Sequence, residues 1–294
     1  VIVVVVVTYS VPAPVLDRCL HSLLAAEVSS GEELRIVVVD NGDHAVVPDD
    51  PRVELHRSGR NDGFGAGANL GFRRAEELGA RVAVLLNDDV EVDPGFLLPL
   101  LRTLDADPAL GAVQPLLLLS AEPPVVNSVG VRIGPDGAGV DLGYGEPLRD
   151  DHLVPGPIEV FTGGAVAFRP TFLAQTGGFD ERYVLYYEDV DLARRGAELG
   201  WRYAVVPASR VVHAQGSSTG AIGERTVYLR ERNRLWAAAR AADGATLARA
   251  LWLSIRRLRH APRGVHARAF LAGAAGIPTR RWARRRATRA AVDR

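Results

Sequence analysis

Residues 1–10 read VIVVVVVTYS. Seven consecutive Val and Ile side chains leave no polar alternation, so this is not a strand with one face in water. It reads as a strand buried on both faces of a parallel sheet, ending in the polar cluster Thr8-Tyr9-Ser10. Working outward, Pro12 and Pro14 precede Val15, Leu16, Cys19, Leu20, Leu23 and Leu24 at helical spacing. A second apolar run, 34–39, stops at Asp40-Asn41-Gly42. A Gly-rich turn then leads into a helix ending at Leu78, and a third run, 82–86, stops at Asn87-Asp88-Asp89. Strand, helix, strand, helix, strand predicts an α/β chain with an open, mostly parallel sheet and helices on both faces. Ligands of such sheets lie beyond the carboxyl ends of the strands, where all three runs end in polar clusters.

Further along, residues 120–160 loosen into Gly, Pro and Asp, as expected of a loop-rich insertion. A short strand is expected at 165–168, a helix at 189–199, and strands at 202–206 and 210–213. Beyond Gly223 no strand pattern remains; Arg- and Ala-rich helices follow, with breaks near Gly244, Pro262 and Pro278. The expected division is a body, 1–220, with halves of about 1–118 and 119–220, and a helical extension, 221–294.

The formal net charge of zero conceals a division of −14 over residues 1–220 and +14 over 221–294. An acidic body with a basic tail suggests that the tail meets an anionic surface. One cysteine, Cys19, excludes an internal disulfide and a four-cysteine zinc module, and a reducing compartment is expected. All 35 basic residues are Arg. A Walker A loop, a lysine Schiff base and a protein-kinase site all need the missing lysine. No apolar run reaches the roughly 18 residues of a membrane span, and the opening run lacks the flanks of a signal peptide. The expectation is a cytoplasmic chain, peripheral to the inner face of a membrane through its tail.

Several clusters can carry chemistry. Asp88 and Asp89, at the end of the third run, suit a hard divalent cation completed by substrate phosphates, or equally an Asx turn leading to Asp93-Pro94. Glu188-Asp189-Val190-Asp191 opens a helix, where carboxylates cap and follow the helix dipole. Crowding of Asp189 by Glu188 would instead raise it toward a useful general base. Gly63, Gly65, Gly67 and Gly71 fit no register of G-x-G-x-x-G and allow either close approach of backbone to a ligand or a tight turn. Gly216-Ser-Ser218-Thr-Gly220 matches a G-x-S-x-G elbow; with only helical sequence after it, around Asp243, His260 and His266, no sheet remains to support a hydrolase. His213 ends a short strand and gains meaning only with partners.

Taken in order, VVVDNGD (37–43), NDGFGAGANLGF (61–72), LLNDDVEVDP (85–94), FTGGAVAFRP (161–170), GGFDERYVLYYEDVDLARRGAELGW (177–201) and VVHAQGSST (211–219) resemble the family-2 glycosyltransferases, and within them bacterial rhamnosyltransferase-like enzymes. The resemblance implies a GT-A fold with a Rossmann-like sheet. It further implies an inverting, metal-dependent transfer of a sugar from a nucleotide-diphosphate donor, dTDP-rhamnose or a UDP-sugar. The implied acceptor is a glycan or a polyprenyl-diphosphate-linked sugar of cell-envelope or surface polysaccharide.

By the same resemblance Thr8, Tyr9 and Asp40 would hold the nucleotide. Asn61, Gly63, Gly65, Gly67 and Asn69 would lie near its diphosphate, together with Asn87 and Asp88. Asp89 and His213 would hold Mg²⁺ or Mn²⁺, Asp189 would be the base, and Gly163, Gly164 and Glu188 would border the sugars. Asn87 departs from the family's D-x-D pattern at its first position. The alternative is a nucleotide-sugar-binding or scaffold protein of the same fold without turnover, against which Asp89, Asp189 and His213 argue.

In the tail, Leu247, Leu251, Ile255 and Leu258 form one stripe, opposite Arg249, Arg256, Arg259 and Trp252. This pattern suits a helix in a membrane interface or one packed on the body. Nucleic acid is not an expected partner, because the acidic body would repel it.

Overall fold

The computed structural model describes residues 1–28, 31–213, 223–240 and 244–292, without the side chains of 281–292. The Gly216 to Gly220 elbow-like segment and Asp243 lie outside the described residues.

In chain order the elements are β1 (Ile2–Thr8), α1 (Ala13–Leu24), β2 (Leu34–Asp40), β3 (Val53–Arg57), α2 (Phe64–Glu77), β4 (Val82–Asn87), β5 (Val90–Val92) and α3 (Leu97–Ala106). Then come β6 (Leu110–Leu119), β7 (Val125–Ser128), β8 (Val131–Ile133), β9 (Gly139–Asp141), β10 (Gly156–Ile158), β11 (Ala165–Phe168), α4 (Pro170–Thr176), α5 (Glu188–Glu198) and β12 (Arg202–His213). The helices α6 (Glu224–Ala239), α7 (Gly244–Arg257) and α8 (Arg263–Val292) complete the chain.

Among the described residues one large sheet runs β10-β12-β6-β11-β4-β1-β2-β3, with β5 paired to β12 and β7 to β6. The strands β4, β1, β2 and β3 are mutually parallel, β6 and β12 are parallel to each other, and β11 is antiparallel to both β4 and β6. β1 lies between β4 and β2 and is buried throughout. Its Ile2, Val4 and Val6 pack with Leu16, Leu20 and Leu23 of α1 and Leu97 and Leu101 of α3. Val3, Val5 and Val7 face Ala68 and Phe72 of α2 and Val190 and Leu192 of α5 on the other side. Each such fully buried aliphatic side chain contributes about 1.5–3 kcal/mol, which is why the strand tolerates no polar residue until Thr8.

The Gly-rich stretch is not a loop before a helix but the first two turns of α2 itself. An added Cβ at Gly67 would stand 2.8 Å from Val7 Cγ1, and one at Gly71 would collide with Val5. Interior glycines cost a helix about 0.5–1 kcal/mol each, offset here by letting α2 lie flush on β1.

Other expectations are corrected. The two late strands are one, β12, whose register with β6 shifts between Val206 and Arg210. Val206 pairs with Pro115 and the bulge opens at the next residue, Pro207, so two residues without an N–H flank the point where the ladder is interrupted. The insertion expected to be loops carries β7, β8, β9 and β10. Pro278 does not break the chain but lies inside α8, whereas breaks do fall at Gly244 and Pro262.

The basic extension packs on the body. Arg194 Nη1 donates to Ala237 O at 2.7 Å, Arg240 Nη2 to Glu198 Oε2 at 3.0 Å, and Arg280 is ion-paired with Asp180. The apolar stripe of α7 is divided by this packing: Leu247 is buried, Leu251 packs beside it, and Ile255 is 52% exposed near the 58% exposed Trp252. No helix among the described residues is long and apolar enough to cross a membrane.

Candidate active site

The parallel register brings Thr8, Asp40 and Asn87 to the same end of β1, β2 and β4. Asp88 follows at once and is buried; it accepts from the Thr8 hydroxyl and the Tyr9 N–H. Burial is the main reason its carboxyl is pushed up to about 6. Asp40 organises the turn after β2: Oδ1 accepts from the N–H of Gly42 (2.8 Å) and Asp43 (2.9 Å), and Oδ2 from that of Ala45 (2.7 Å). Beneath this edge the buried thiol of Cys19 donates to Asn87 O at 3.7 Å, and desolvation holds it far above the ordinary thiol range.

Asp89 meets His213 across the sheet, because β5 pairs antiparallel with the end of β12 and fixes Val90 opposite His213. His213 Nε2 stands 2.9 Å from Asp89 Oδ1, and Asn127 Oδ1 accepts from Nδ1 at 2.7 Å. The Nδ1 contact leaves Nε2 to face the carboxylate. Nε2 and Oδ1 stand at the separation of adjacent ligands of an octahedral ion, which at about 2.1 Å from the metal lie about 3 Å apart. The residues therefore fit a divalent ion, with Asn127 orienting the imidazole from behind. Among the described residues no cluster of three or more His, Cys, Asp and Glu side chains assembles, so substrate oxygens would have to complete the shell.

A cleft of about 500 Å³ opens beside this pair. Asn87, Gly163, Gly164, Glu188, Asp189 and His213 all line it. Asp189 does two things: Oδ1 accepts from the first-turn N–H of Val190 in its own helix at 2.8 Å, and Oδ2 accepts from Gly163 N across the cleft at 3.0 Å. Glu188 is buried, and its Oε2 has no hydrogen-bond partner among the described residues. Desolvation raises both carboxyls, and each has a further carboxylate neighbour acting in the same direction: Asp189 for Glu188, Asp141 for Asp189. Asp191, by contrast, is structural: fully buried, 2.7 Å from Arg195 Nε and 3.5 Å from Arg240 Nε.

The chain enters α5 through a strained loop. Val184 has φ 68° and ψ −58°, a conformation rare for a β-branched residue, and Leu185 N donates to Tyr183 O at 2.8 Å to close the turn. Tyr186 and Tyr187 also have φ of 70°. Such residues cost about 1–3 kcal/mol each. Gly63 completes the arrangement: with φ 103° it starts α2, an added Cβ would strike Val184 O, and Phe64 N donates to that carbonyl at 2.8 Å.

Not every expected residue reaches the cleft. The Asn69 amide is turned away, its Nδ2 donating to Phe179 O (2.9 Å) and its Oδ1 accepting from Phe179 N (2.8 Å). Gly65 packs on Phe179 and Gly67 on Val7 and Asn41, so both serve helix packing. Asn61 forms an Asx turn, its Oδ1 accepting from Gly63 N at 3.0 Å. Conversely Asn127, Asp141 and Arg230 line the cleft without having been expected there.

The model of the glycosyl transferase family 2 matches residues 3–122. Over 243 residues the chain is 31% identical to the N-acetylglucosaminyl-diphospho-decaprenol L-rhamnosyltransferase of Mycobacterium tuberculosis, strains CDC 1551 and H37Rv alike, covering 74% of this chain and 77% of that enzyme. The chain belongs to glycosyltransferase family 2. Solved structures agree on the fold of this family-2 glycosyltransferase. A crystal structure of GalNAc-T7 with UDP, GalNAc and Mn²⁺ superimposes with a TM-score of 0.66 at 16% identity, over 92% of this chain and 53% of that one. The chain thus spans about half the length of that protein. Residues 1–349 of S. aureus TarS give 0.54 at 13% identity, over 88% and 72% of the two chains. The Pyrobaculum calidifontis mannosyltransferase PcManGT, solved with GDP-Man and Mn²⁺, gives 0.51 at 18%, over 99% and 85%. The glycosyltransferase has the GT-A fold.

Proposed function

We propose that this glycosyltransferase moves a sugar from a nucleotide-diphosphate donor, dTDP-rhamnose or a UDP-sugar, onto N-acetylglucosamine carried on a polyprenyl diphosphate. The product would serve cell-envelope or surface polysaccharide. The observation that carries the mechanism is that Asp189, held by Gly163, and His213, paired with Asp89, line one cleft. Identity to the mycobacterial rhamnosyltransferase supports the donor and acceptor classes.

The acceptor hydroxyl oxygen attacks the anomeric carbon, its proton passes to an Asp189 carboxylate oxygen, and the bond to the donor diphosphate breaks with its electron pair on the leaving oxygen. Attack from the face opposite the leaving group inverts the anomeric centre. Desolvation makes Asp189 a stronger base than an exposed aspartate, and the Gly163 N–H keeps it in one rotamer. Asp89 and His213 would hold Mg²⁺ or Mn²⁺, which when bound supplies Lewis-acid stabilisation of the charge left on the diphosphate. Thr8, the 52% exposed Tyr9 and the turn organised by Asp40 border the nucleotide. Glu188, uncharged when raised by burial, can donate to a sugar hydroxyl. Arg230 lines the cleft with its guanidinium 4.5 Å from the Tyr186 ring, and supports recognition of a diphosphate on the acceptor.

The test incubates the full chain with Mn²⁺, each candidate donor and a synthetic N-acetylglucosaminyl-diphosphate-polyprenol. The expected product carries the sugar with inverted anomeric configuration by NMR. Retention would overturn the mechanism; absence of product with every donor would overturn the substrate assignment.

A further inference from the structure

We propose that Asn233, on α6 of the basic extension, is a positioning residue for transfer: it holds the backbone that aims Asp189. Asn233 is fully buried. Its Nδ2 lies 3.0 Å from Tyr183 O, 2.9 Å from Leu185 O and 2.7 Å from Tyr186 O, and its Oδ1 accepts from Arg232 Nε at 2.8 Å. One amide thus gathers three carbonyls of the loop that contains Val184, Tyr186 and Tyr187 at positive φ. Arg232 reinforces it, Nη2 donating to Arg182 O (3.0 Å) and Tyr183 O (2.9 Å).

The arrangement explains why the strain persists. Three carbonyls pointing to one spot repel one another unless donors meet them, and relaxation of any of the three residues to negative φ would swing a carbonyl away. Tyr187 is the residue just before α5, so its φ sets how the first turn presents Glu188 and Asp189. Without Asn233 the loop relaxes, the turn rotates, and Asp189 leaves Gly163. The inference rests on Asp189 being the base, and a reacting group misplaced by about 1 Å can lose about 10²-fold in rate.

The experiment uses the full chain and the transfer assay. Wild type and Asp189→Asn come first: loss of turnover in Asp189→Asn upholds the reading of the base independently of Asn233. Asn233→Ala is then expected to lose about 10²-fold in kcat with the donor KM within about threefold. Leu235→Ala, on the same helix but packed toward α7 and α8, is expected to lower the melting temperature while keeping kcat within about threefold. Val184→Gly introduced into Asn233→Ala removes the penalty for positive φ and is expected to recover about tenfold of the lost kcat. Loss of kcat in Asn233→Ala and Leu235→Ala in proportion to melting temperature, or no recovery by Val184→Gly, would overturn the proposal. Should Asn233→Ala alone fail to fold, the double variant decides: folded and active upholds the role, unfolded overturns it.

Discussion

Asp189 is fastened to Gly163: its Oδ2 accepts the Gly163 N–H at 3.0 Å, joining the first turn of α5 to the loop that enters β11. A carboxylate tied both to its own helix's first turn and to the loop across the cleft keeps its rotamer as substrate arrives. Two neighbouring carboxylates therefore have separate duties. Asp189→Asn should lower kcat by about 10² to 10⁴-fold with donor affinity nearly unchanged. Asp191→Asn should instead destabilise the chain by about 3 kcal/mol or more, by breaking a buried ion pair with Arg195, and calorimetry alongside kinetics separates the two outcomes.

The raised carboxyls set the pH response. A group whose folded pKa exceeds its unfolded one binds more protons when folded, so stability is greatest at low pH and declines as pH rises through the folded value. Glu188→Gln removes that decline: melting temperature should rise relative to wild type at pH 8 and stay level near pH 4. Activity runs the opposite way. As the proposed base, Asp189 would have to be ionised, so kcat should fall on acidification at a pH above the ordinary aspartate value of about 4.

Metal binding should depend on a residue that never touches the metal. Asn127→Ala frees the His213 ring and should weaken Mn²⁺ binding about 10 to 100-fold, read by electron paramagnetic resonance with nucleoside diphosphate present. Asp89→Ala should abolish it. Full transfer in excess chelator would refute the metal role altogether.

Arg230→Ala should raise KM for the diphosphate-linked acceptor by about tenfold or more, as expected for loss of one charge-assisted contact, with donor KM unchanged. An acceptor lacking the diphosphate should not discriminate between the variant and wild type.

At the tail, Trp252 and Ile255 are exposed, and the Arg256 guanidinium lies 4.7 Å from the Trp252 ring. Co-sedimentation with anionic liposomes should exceed that with neutral ones, and Trp252→Ser with Ile255→Ser should reduce it. Equal, negligible sedimentation with both would remove the membrane from the account.

What was legible in the sequence follows from burial. β1, β2 and β4 are covered on both faces, so their apolar runs are unbroken; β3 is half-buried, mixes Glu54 and His56 among apolar residues, and passed unread. Asp189 and His213 could be placed from the sequence because they lie at the start of a helix and the end of a strand, and Asp89 because it lies in the turn right after β4. Asn127 and Asp141 were not, since short antiparallel strands amid Gly and Pro have no period long enough to place a side chain. The importance of α6 was hidden for a different reason: its buried face holds Glu231, Asn233 and Arg234 as well as Leu229 and Leu235, a pattern that reads as solvent-facing.

The thiol beneath Asn87 gives the protein a built-in clock. Cys19 is the chain's one cysteine, 1% exposed, directly under the end of the strand that leads into Asp88 and Asp89. A disulfide reagent cannot reach it until α1 parts from β4, so the rate of thiol modification counts how often the floor of the site opens. Ligand that steadies that floor slows the count, and occupancy becomes measurable with neither a radiolabel nor a turnover.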